Sequence, residues 1–241
     1  MTQIALCVTC IVDQIYPEIG VATVKLLRRA GYEVLFPAGQ SCCGQPFFNS
    51  GFREQATELA KQTITRFAPY PAVVLPSGSC TAMIRVEYLH LLQDDPYWYP
   101  RAENLAAKTF ELSQFLIHEA KWQPQGPAVF RPAITYHDSC HACRILGIGQ
   151  EPRQLLGTAG YQLNEMAESD RCCGFGGLFS LRLPEISNAM SSAKLDLARQ
   201  SQAPLIVTLD PGCLMQLRGL ADPTLQIEHL ATLLETVNRE P

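Results

Sequence analysis

Cysteine is the residue type best suited to chemistry in this 241-residue chain, and ten cysteines are present. Three of them recur 130 residues further along the chain: Cys10 and Cys140, Cys42 and Cys172, Cys43 and Cys173. A fourth pair, Cys80 and Cys213, is 133 residues apart. The spacing predicts two related halves, each with a single cysteine, then Cys-Cys-Gly, then another single cysteine.

Four cysteines brought to one place suit either a tetrahedral zinc ion or an iron-sulfur cluster. Zinc fingers and ribbons take their ligands as pairs that a short knuckle separates, whereas the close pairs here are consecutive residues. Adjacent sulfurs reach two iron atoms of a cluster more easily than one small ion. We predict one or two iron-sulfur clusters of the 4Fe-4S type, with zinc or a disulfide switch as alternatives. The predicted ligands are Cys10, Cys42, Cys43 and Cys80 in the first half, and Cys140, Cys172, Cys173 and Cys213 in the second.

Two cysteines, Cys7 and Cys143, fall outside the repeat. Each forms a Cys-x-x-Cys pair with a predicted ligand, which taken alone would suggest a redox dithiol or half of a zinc site. The repeat accounts for Cys10 and Cys140, but not for the other cysteine of each pair. We therefore expect Cys7 to be a buried strand residue and Cys143 a small apolar helix residue.

Three residues near a predicted ligand are catalytic candidates, namely His137, His141 and Arg144. The histidines could relay protons during a two-electron oxidation, or donate a hydrogen bond to sulfur and tune its reduction potential. The arginine could offset thiolate charge, hold a substrate carboxylate, or simply lie at the surface.

Hydrophobic periodicity places the cysteines on a fold. Short apolar or alternating segments predict strands at 4–8, 32–36, 72–75, 133–136, 161–166 and 205–209. Amphipathic segments predict helices at 16–30, 52–67, 152–157 and 185–200, and further helical stretches that open at 110–112 and 227–229. This alternation predicts an α/β fold of two pseudo-symmetric repeats, each a small, mostly parallel sheet with flanking helices. Loops beyond the carboxyl ends of parallel strands meet at one edge, so the cysteines of each half are expected to converge there.

The segment 121–132 contains three prolines and a glycine and is the predicted hinge. It divides the chain into a first cysteine-rich repeat, 1–125, and a second, 126–241.

Composition limits the partners. The net charge is -4 with no cluster of Lys or Arg, which argues against nucleic acid. Charged residues make up 17% of the chain, against about 25% in an average soluble domain, which suggests a subunit that buries surface against partners. No apolar stretch reaches the ~18 residues of a membrane helix. The first residues do not resemble a signal peptide, so a cytoplasmic location is expected.

Three stretches resemble a known family: 39–46 (GQSCCGQP), 76–80 (PSGSC) and 172–177 (CCGFGG). They are similar to proteins with two copies of the cysteine-rich CCG domain, including the catalytic subunit of heterodisulfide reductase and the iron-sulfur subunit of glycolate oxidase. The resemblance covers nearly the whole chain and implies that cysteines of both repeats bind clusters. Reductase members extend the last cysteine into Cys-x-x-Cys and bind a cluster through five ligands. Here those positions are Met83 and Gln216, so four ligands per cluster are expected, with Cys7 or Cys143 as a possible fifth thiolate.

Two repeats without an attached ferredoxin domain resemble members that form one subunit of a three-component complex oxidising L-lactate to pyruvate. The resemblance thus implies an iron-sulfur subunit of a cytosolic oxidoreductase complex. Its partners would be other iron-sulfur subunits, and the substrate L-lactate or a similar 2-hydroxy acid. Two alternatives remain: a stand-alone enzyme like heterodisulfide reductase that acts at one cluster, and a zinc-binding structural subunit.

Overall fold

Two four-stranded parallel sheets, one from each half, organise the chain in the computed structural model, which describes residues 2–124 and 131–237. The strands are β1 (Thr2–Leu6), β2 (Tyr32–Leu35), β3 (Val73–Leu75), β4 (Thr109–Glu111), β5 (Ala133–Tyr136), β6 (Gln162–Leu163), β7 (Leu205–Thr208) and β8 (Gln226–His229). The order is β2-β1-β3-β4 in one sheet and β6-β5-β7-β8 in the other, and all pairings are parallel. The predicted fold of two equivalent α/β repeats is confirmed.

Helices connect the strands on both sides of each sheet. The first half contains α1 (Cys10–Gln14), α2 (Pro17–Arg29), α3 (Gln45–Asn49), α4 (Arg53–Phe67), α5 (Gly78–Ala82), α6 (Tyr88–Leu92), α7 (Tyr99–Ala107) and α8 (Leu112–Gln114). The second half contains α9 (Gln150–Thr158), α10 (Leu178–Arg182), α11 (Pro184–Gln200), α12 (Pro211–Arg218) and α13 (Leu230–Val237). Single π-helical turns lie at Met83–Glu87, Phe115–Glu119 and His141–Ile145.

The long crossover helices have clear local causes. Helix α2 begins at Pro17, whose missing N–H is not needed in the first turn, and Arg28 and Arg29 in its last turn complement the helix dipole. It buries an apolar face that includes Ile19, Leu26 and Leu27. Helix α11 begins at a proline in the same way. Both helices fall within two residues of the predicted ranges.

The fourth strand of each sheet differs from the sequence prediction. Residues 109–111 and 226–229 pair with β3 and β7 as strands, and the helices begin only at Leu112 and Leu230. The register aligns Leu75 with Glu111 and Thr208 with His229. Glu111 and His229, one at the end of each fourth strand, are therefore equivalent. The sequence alone predicts helix starts here, because the apolar pattern of these short strands continues into the helix that follows.

The two halves pack closely together. One apolar core contains residues of both, and α13 of the second half lies against α2 of the first. The buried Glu235 carboxylate lies 3.5 Å from Lys25 Nζ and 3.8 Å from Arg29 Nη1. The predicted boundary between residues 125 and 126 lies outside the described residues. Within the described ranges, no helix combines the length and apolar character needed to cross a membrane.

Candidate metal centre

Each predicted ligand follows the carboxyl end of a strand. In the first half, Cys10 begins α1 after β1, Cys42 and Cys43 lie in the loop between β2 and α3, and Cys80 lies in α5 after β3. The second half repeats this arrangement after β5, β6 and β7: Cys140 precedes the π-helical turn, Cys172 and Cys173 lie in the loop, and Cys213 lies in α12. Because both sheets have the same strand order, the topology brings four cysteines to one edge in each half.

The sulfur atoms within each half lie close together. In the first half, Cys10 Sγ is 3.8 Å from Cys42 Sγ and Cys43 Sγ is 3.3 Å from Cys80 Sγ. In the second half, Cys173 Sγ is 3.2 Å from Cys213 Sγ, and the Cys140 thiol is close enough to that of Cys172 to lower its pKa. All ten cysteines are free thiols, so the vicinal pairs form no disulfide in this structure.

A glycine follows the vicinal cysteines in each half and shapes the loop. Gly44 and Gly174 both have a φ of 91°, a backbone conformation that L side chains rarely adopt. In that conformation the N–H of each glycine donates to the sulfur two residues earlier, Cys42 or Cys172, at 3.4 Å. The glycines thus place a backbone donor on one sulfur of each set.

One carboxylate joins the two helices that carry the last cysteines. Asp210 Oδ1 accepts from Gly212 N at 3.0 Å and so caps α12, while its Oδ2 accepts from Ser79 N at 2.7 Å in the other half. Ser77, the residue equivalent to Asp210, caps α5 by accepting from Cys80 N at 3.3 Å. The approach is so close that a Cβ added to Gly78 would lie 2.7 Å from Ala142 Cβ. The two cysteine-bearing helix starts therefore face each other.

This packing gives both cysteine sets a common opening. A single pocket is lined by all eight predicted ligands together with residues of both halves, including Ile11, Gln45, Asn49, Ser79, His141, Phe175 and Asp210. The spacing of the cysteines alone predicts a separate four-thiol site in each half. The structure shows instead that the two sets of thiols face one shared space.

The thiols influence one another's protonation. Bonds donated by Cys10 and Cys43 lower the pKa of Cys42, and bonds donated by Cys140 and Cys173 lower that of Cys172. The bond to Cys42 in turn raises the pKa of Cys10, and burial raises it further. Sulfurs at these distances therefore tend to share protons rather than ionise together. A bound metal supplies the positive charge that four adjacent thiolates require, so the donor set fits a metal or an iron-sulfur cluster.

The three catalytic candidates lie in different environments. His141 lines the pocket, with Nδ1 3.5 Å from Cys140 Sγ. Arg144 does not line it; its guanidinium is mostly exposed and donates to the Asp170 carbonyl at 2.7 Å. His137 is fully buried beneath the pocket, and burial lowers its pKa to about 3. A ring nitrogen of His137 and the sulfurs of Cys173 and Cys213 all lie within 4.8 Å of one another.

The two cysteines outside the repeat also differ. Cys7 is buried at the end of the first strand, as expected, and Cys143 lies half-buried in a π-helical turn with its Sγ 3.9 Å from the Cys140 carbonyl oxygen. Neither lines the shared pocket.

Sequence reasoning missed the residues that hold the loops in place. Asp210 is one example, although its position immediately before Pro-Gly-Cys is a typical helix-capping signal. Another is Lys194, whose fully buried ammonium donates to the carbonyls of Glu168 and Ser169 at 2.8 Å and anchors the loop before Cys172. Nothing in the helical pattern around Lys194 distinguishes it from a solvated lysine.

Comparisons with known proteins place the chain in a family. The family described as the cysteine-rich (CCG) domain matches residues 4–85 and 134–218, which contain all eight predicted ligands. The chain is similar to Lactate utilization protein A of an Exiguobacterium species, with 44% identity over 240 residues covering 97% of each chain. It is also similar to Lactate utilization protein A of Bacillus subtilis, with 42% identity over 238 residues covering 97% of this chain and 99% of the relative.

A solved structure shares the fold. The crystal structure of a hypothetical protein from Helicobacter pylori superposes with a TM-score of 0.70 over the whole of this chain, at 10% sequence identity. This chain spans 49% of that protein's length. With two matched segments in register with its two sheets, the chain belongs to the cysteine-rich CCG domain family.

Proposed function

We propose that this protein is an iron-sulfur subunit of a cytosolic complex that oxidises L-lactate, or a similar 2-hydroxy acid, to the 2-oxo acid. Cys10, Cys42, Cys43 and Cys80 would hold one cluster, and Cys140, Cys172, Cys173 and Cys213 the other. The observation that carries the proposal is the presence of two equivalent four-thiol sets around one pocket.

The electron count supports two clusters. Oxidation of lactate to pyruvate releases two electrons and two protons, and a 4Fe-4S cluster supplies one-electron transfer when bound. Two such sites in one chain match one substrate turnover. The residues of this chain hold the thiolates at one edge of each sheet, and the Gly44 and Gly174 N–H groups stabilise sulfur charge.

The surroundings of the pocket fit electron transfer to other subunits better than a self-contained active site. Among the residues that line it, His141 is the one imidazole, and no lysine or arginine lines it to bind a carboxylate substrate. We therefore infer that substrate oxidation and onward electron transfer involve other iron-sulfur subunits of the complex. The names of the similar proteins support lactate as the source of the electrons.

Iron and acid-labile sulfide analysis of anaerobically purified protein tests the proposal. Two 4Fe-4S clusters predict about eight irons and eight sulfides per chain, with broad visible absorbance that reductant bleaches. Stoichiometric zinc without visible absorbance would overturn it in favour of the structural subunit.

A second measurement addresses the reaction. Pull-down of the tagged full chain from lactate-grown cells should recover lactate-reducible clusters together with other iron-sulfur proteins. Reduction of a heterodisulfide by the isolated chain, with no response to lactate in the recovered material, would favour the stand-alone enzyme instead.

A further inference from the structure

Cys7 and His137 occupy equivalent places in the two halves. They are 130 residues apart, the interval that relates the first three ligands. The Cys7 N–H donates to the Val74 carbonyl at 3.0 Å, and the His137 N–H donates to the Val207 carbonyl at 2.9 Å. Each residue therefore continues a central strand toward the first cysteine of its half, with the same backbone contact to the neighbouring strand.

His137 is placed as a ligand would be. Its side chain is fully buried, and among the described residues neither ring nitrogen has a hydrogen-bond partner. A buried imidazole without partners loses two hydrogen bonds to water, one at each ring nitrogen, so its burial requires an explanation. One ring nitrogen shares a 4.8 Å neighbourhood with the sulfurs of Cys173 and Cys213, which are themselves 3.2 Å apart. Among the described residues, these three donors form the group that is close enough together to hold a single metal ion.

Cys7 is near the sulfurs of the first half in a similar way. It is buried, with 6% of its surface exposed, and it lines one small cavity together with Cys43. The residue equivalent to Cys43 is Cys173, whose sulfur lies within 4.8 Å of a ring nitrogen of His137. In each half, one further donor therefore lies on the buried side of the four cysteines.

We infer that Cys7 and His137 are fifth donors, so that the first site has five sulfur donors and the second has four sulfurs and one imidazole. The inference rests on the proposed cluster binding and goes beyond it, because the two sites would differ in charge. Replacing a thiolate by a neutral imidazole removes one negative charge from the site, and histidine ligation raises the reduction potential of an iron-sulfur centre. The second site would therefore accept an electron before the first.

Pulsed EPR of the dithionite-reduced, anaerobically purified full chain tests this inference. Protein labelled with ¹⁵N-histidine should show a strong nitrogen coupling from one imidazole. His137→Cys places at this position the residue type of its equivalent in the first half, Cys7. We expect this variant to lose the nitrogen coupling, to retain iron and to have a lower reduction potential at the second site. His141→Gln is the matched control, since this imidazole lies 3.5 Å from Cys140 Sγ, and it should leave the coupling intact.

The outcomes separate the inference from the proposed function. Absence of iron would overturn the function. Full iron without a histidine coupling, or a coupling that His141→Gln removes, would overturn the inference alone. If His137→Cys fails to fold, the native protein and His141→Gln still test the inference. A strong imidazole coupling in both of these proteins can come only from His137, the other histidine close to the sulfurs. Cys7→His is expected to add a second nitrogen coupling and raise the lower of the two potentials.

Discussion

Each half contains an equivalent set of four cysteines, but different side chains support the two sets. In the first half, the helix behind the vicinal cysteines presents Ala56 and Ala60, and the Cys43 carbonyl accepts from Tyr88 Oη at 2.8 Å. In the second half, α11 presents Ser187, Ser191 and Lys194, all fully buried. The sulfur positions are thus maintained by mostly apolar packing, with Tyr88 and the buried Thr63, in one half, and by a polar network in the other.

This difference shows which features the site requires. Sheet order, the glycine after the vicinal pair and the helix start under the last cysteine are present in both halves. The packing behind them changes freely, as expected where a role can be filled by more than one side chain. We expect substitutions at shared features to have similar effects in both halves, and substitutions behind them to have unequal effects.

The largest effects are expected from the ligands themselves. Cys42→Ala and Cys172→Ala remove equivalent thiols, so each should reduce the iron content from about eight to about four per chain. Each should also lower thermal stability, because the loss of a bound metal removes its contribution to folding. Iron analysis and anaerobic thermal unfolding provide the measurements. Cys143→Ala is the control, and it should retain full iron because Cys143 lies away from the pocket.

Substitution of the glycines that follow the vicinal cysteines tests the difference in packing between the two halves. A Cβ at Gly174 would lie 2.5 Å from the Ser187 carbonyl oxygen, whereas one at Gly44 would lie 3.4 Å from the Ala56 carbonyl oxygen. Both substitutions strain a positive φ, at roughly 1–2 kcal/mol. Only Gly174→Ala also overpacks the backbone, which brings its total to roughly 2–5 kcal/mol.

Thermal unfolding of both variants at one pH measures the difference. Gly51→Ala is a suitable control because it has a positive φ with open space around the added Cβ. Equal losses for Gly44→Ala and Gly174→Ala would contradict the unequal packing that the structure assigns to the two loops.

Part of the similarity between the two halves can be predicted from the sequence. The 130-residue interval reveals the repeat and predicts most of the ligands, because covalent spacing is preserved where strands and loops have equal lengths. The shared pocket could not be derived, because it depends on how one repeat packs on the other, through contacts such as Gly78 against Ala142 and Asp210 against Ser79. The fourth strands were missed because residues of low strand propensity end them, and tertiary pairing determines their conformation.

A third test compares the equivalent residues Glu111 and His229. Each caps the helix that follows it: Glu111 Oε2 accepts from Ser113 N at 2.7 Å, and His229 Nδ1 accepts from Ala231 N at 3.1 Å. Burial raises the pKa of Glu111 to about 7 and lowers the pKa of His229 to about 4. Both shifts favour the neutral form, so they change stability in opposite directions over nearly the same pH range.

The signs follow from proton uptake. The folded state holds the Glu111 proton more tightly than the unfolded state, so stability is lost as pH rises from about 4.5 to 7. The folded state resists protonation of His229, so stability is lost as pH falls from about 6.5 to 4. Each shift corresponds to about 3 kcal/mol. Because the two effects oppose each other, Glu111→Gln should make stability rise more steeply as pH increases from about 4.5 to 7, and His229→Gln should make stability fall as pH increases from about 4 to 6.5. Unchanged slopes relative to the parent protein would contradict both assignments.

The smallest effects are expected from the side chains that bond the carbonyl of the second vicinal cysteine. Tyr88→Phe removes the donor to Cys43, and Ser191→Ala removes the donor to Cys173 at 2.7 Å. Each leaves one buried carbonyl without that bond, at about 1–2 kcal/mol. Ser191 also accepts from Gln216 Nε2 at 2.9 Å, but that amide keeps its bond to Ser187 Oγ at 3.0 Å.

The two losses should therefore be similar in thermal unfolding, with iron content unchanged in both variants. A much larger loss for Ser191→Ala would mean that the polar network of the second half acts as a unit, with Gln216 and Ser187 losing their geometry together. In that case the halves would differ in cooperativity as well as in composition. The second cysteine set would then tolerate substitution of its surroundings less well than the first, although the two sets are equivalent.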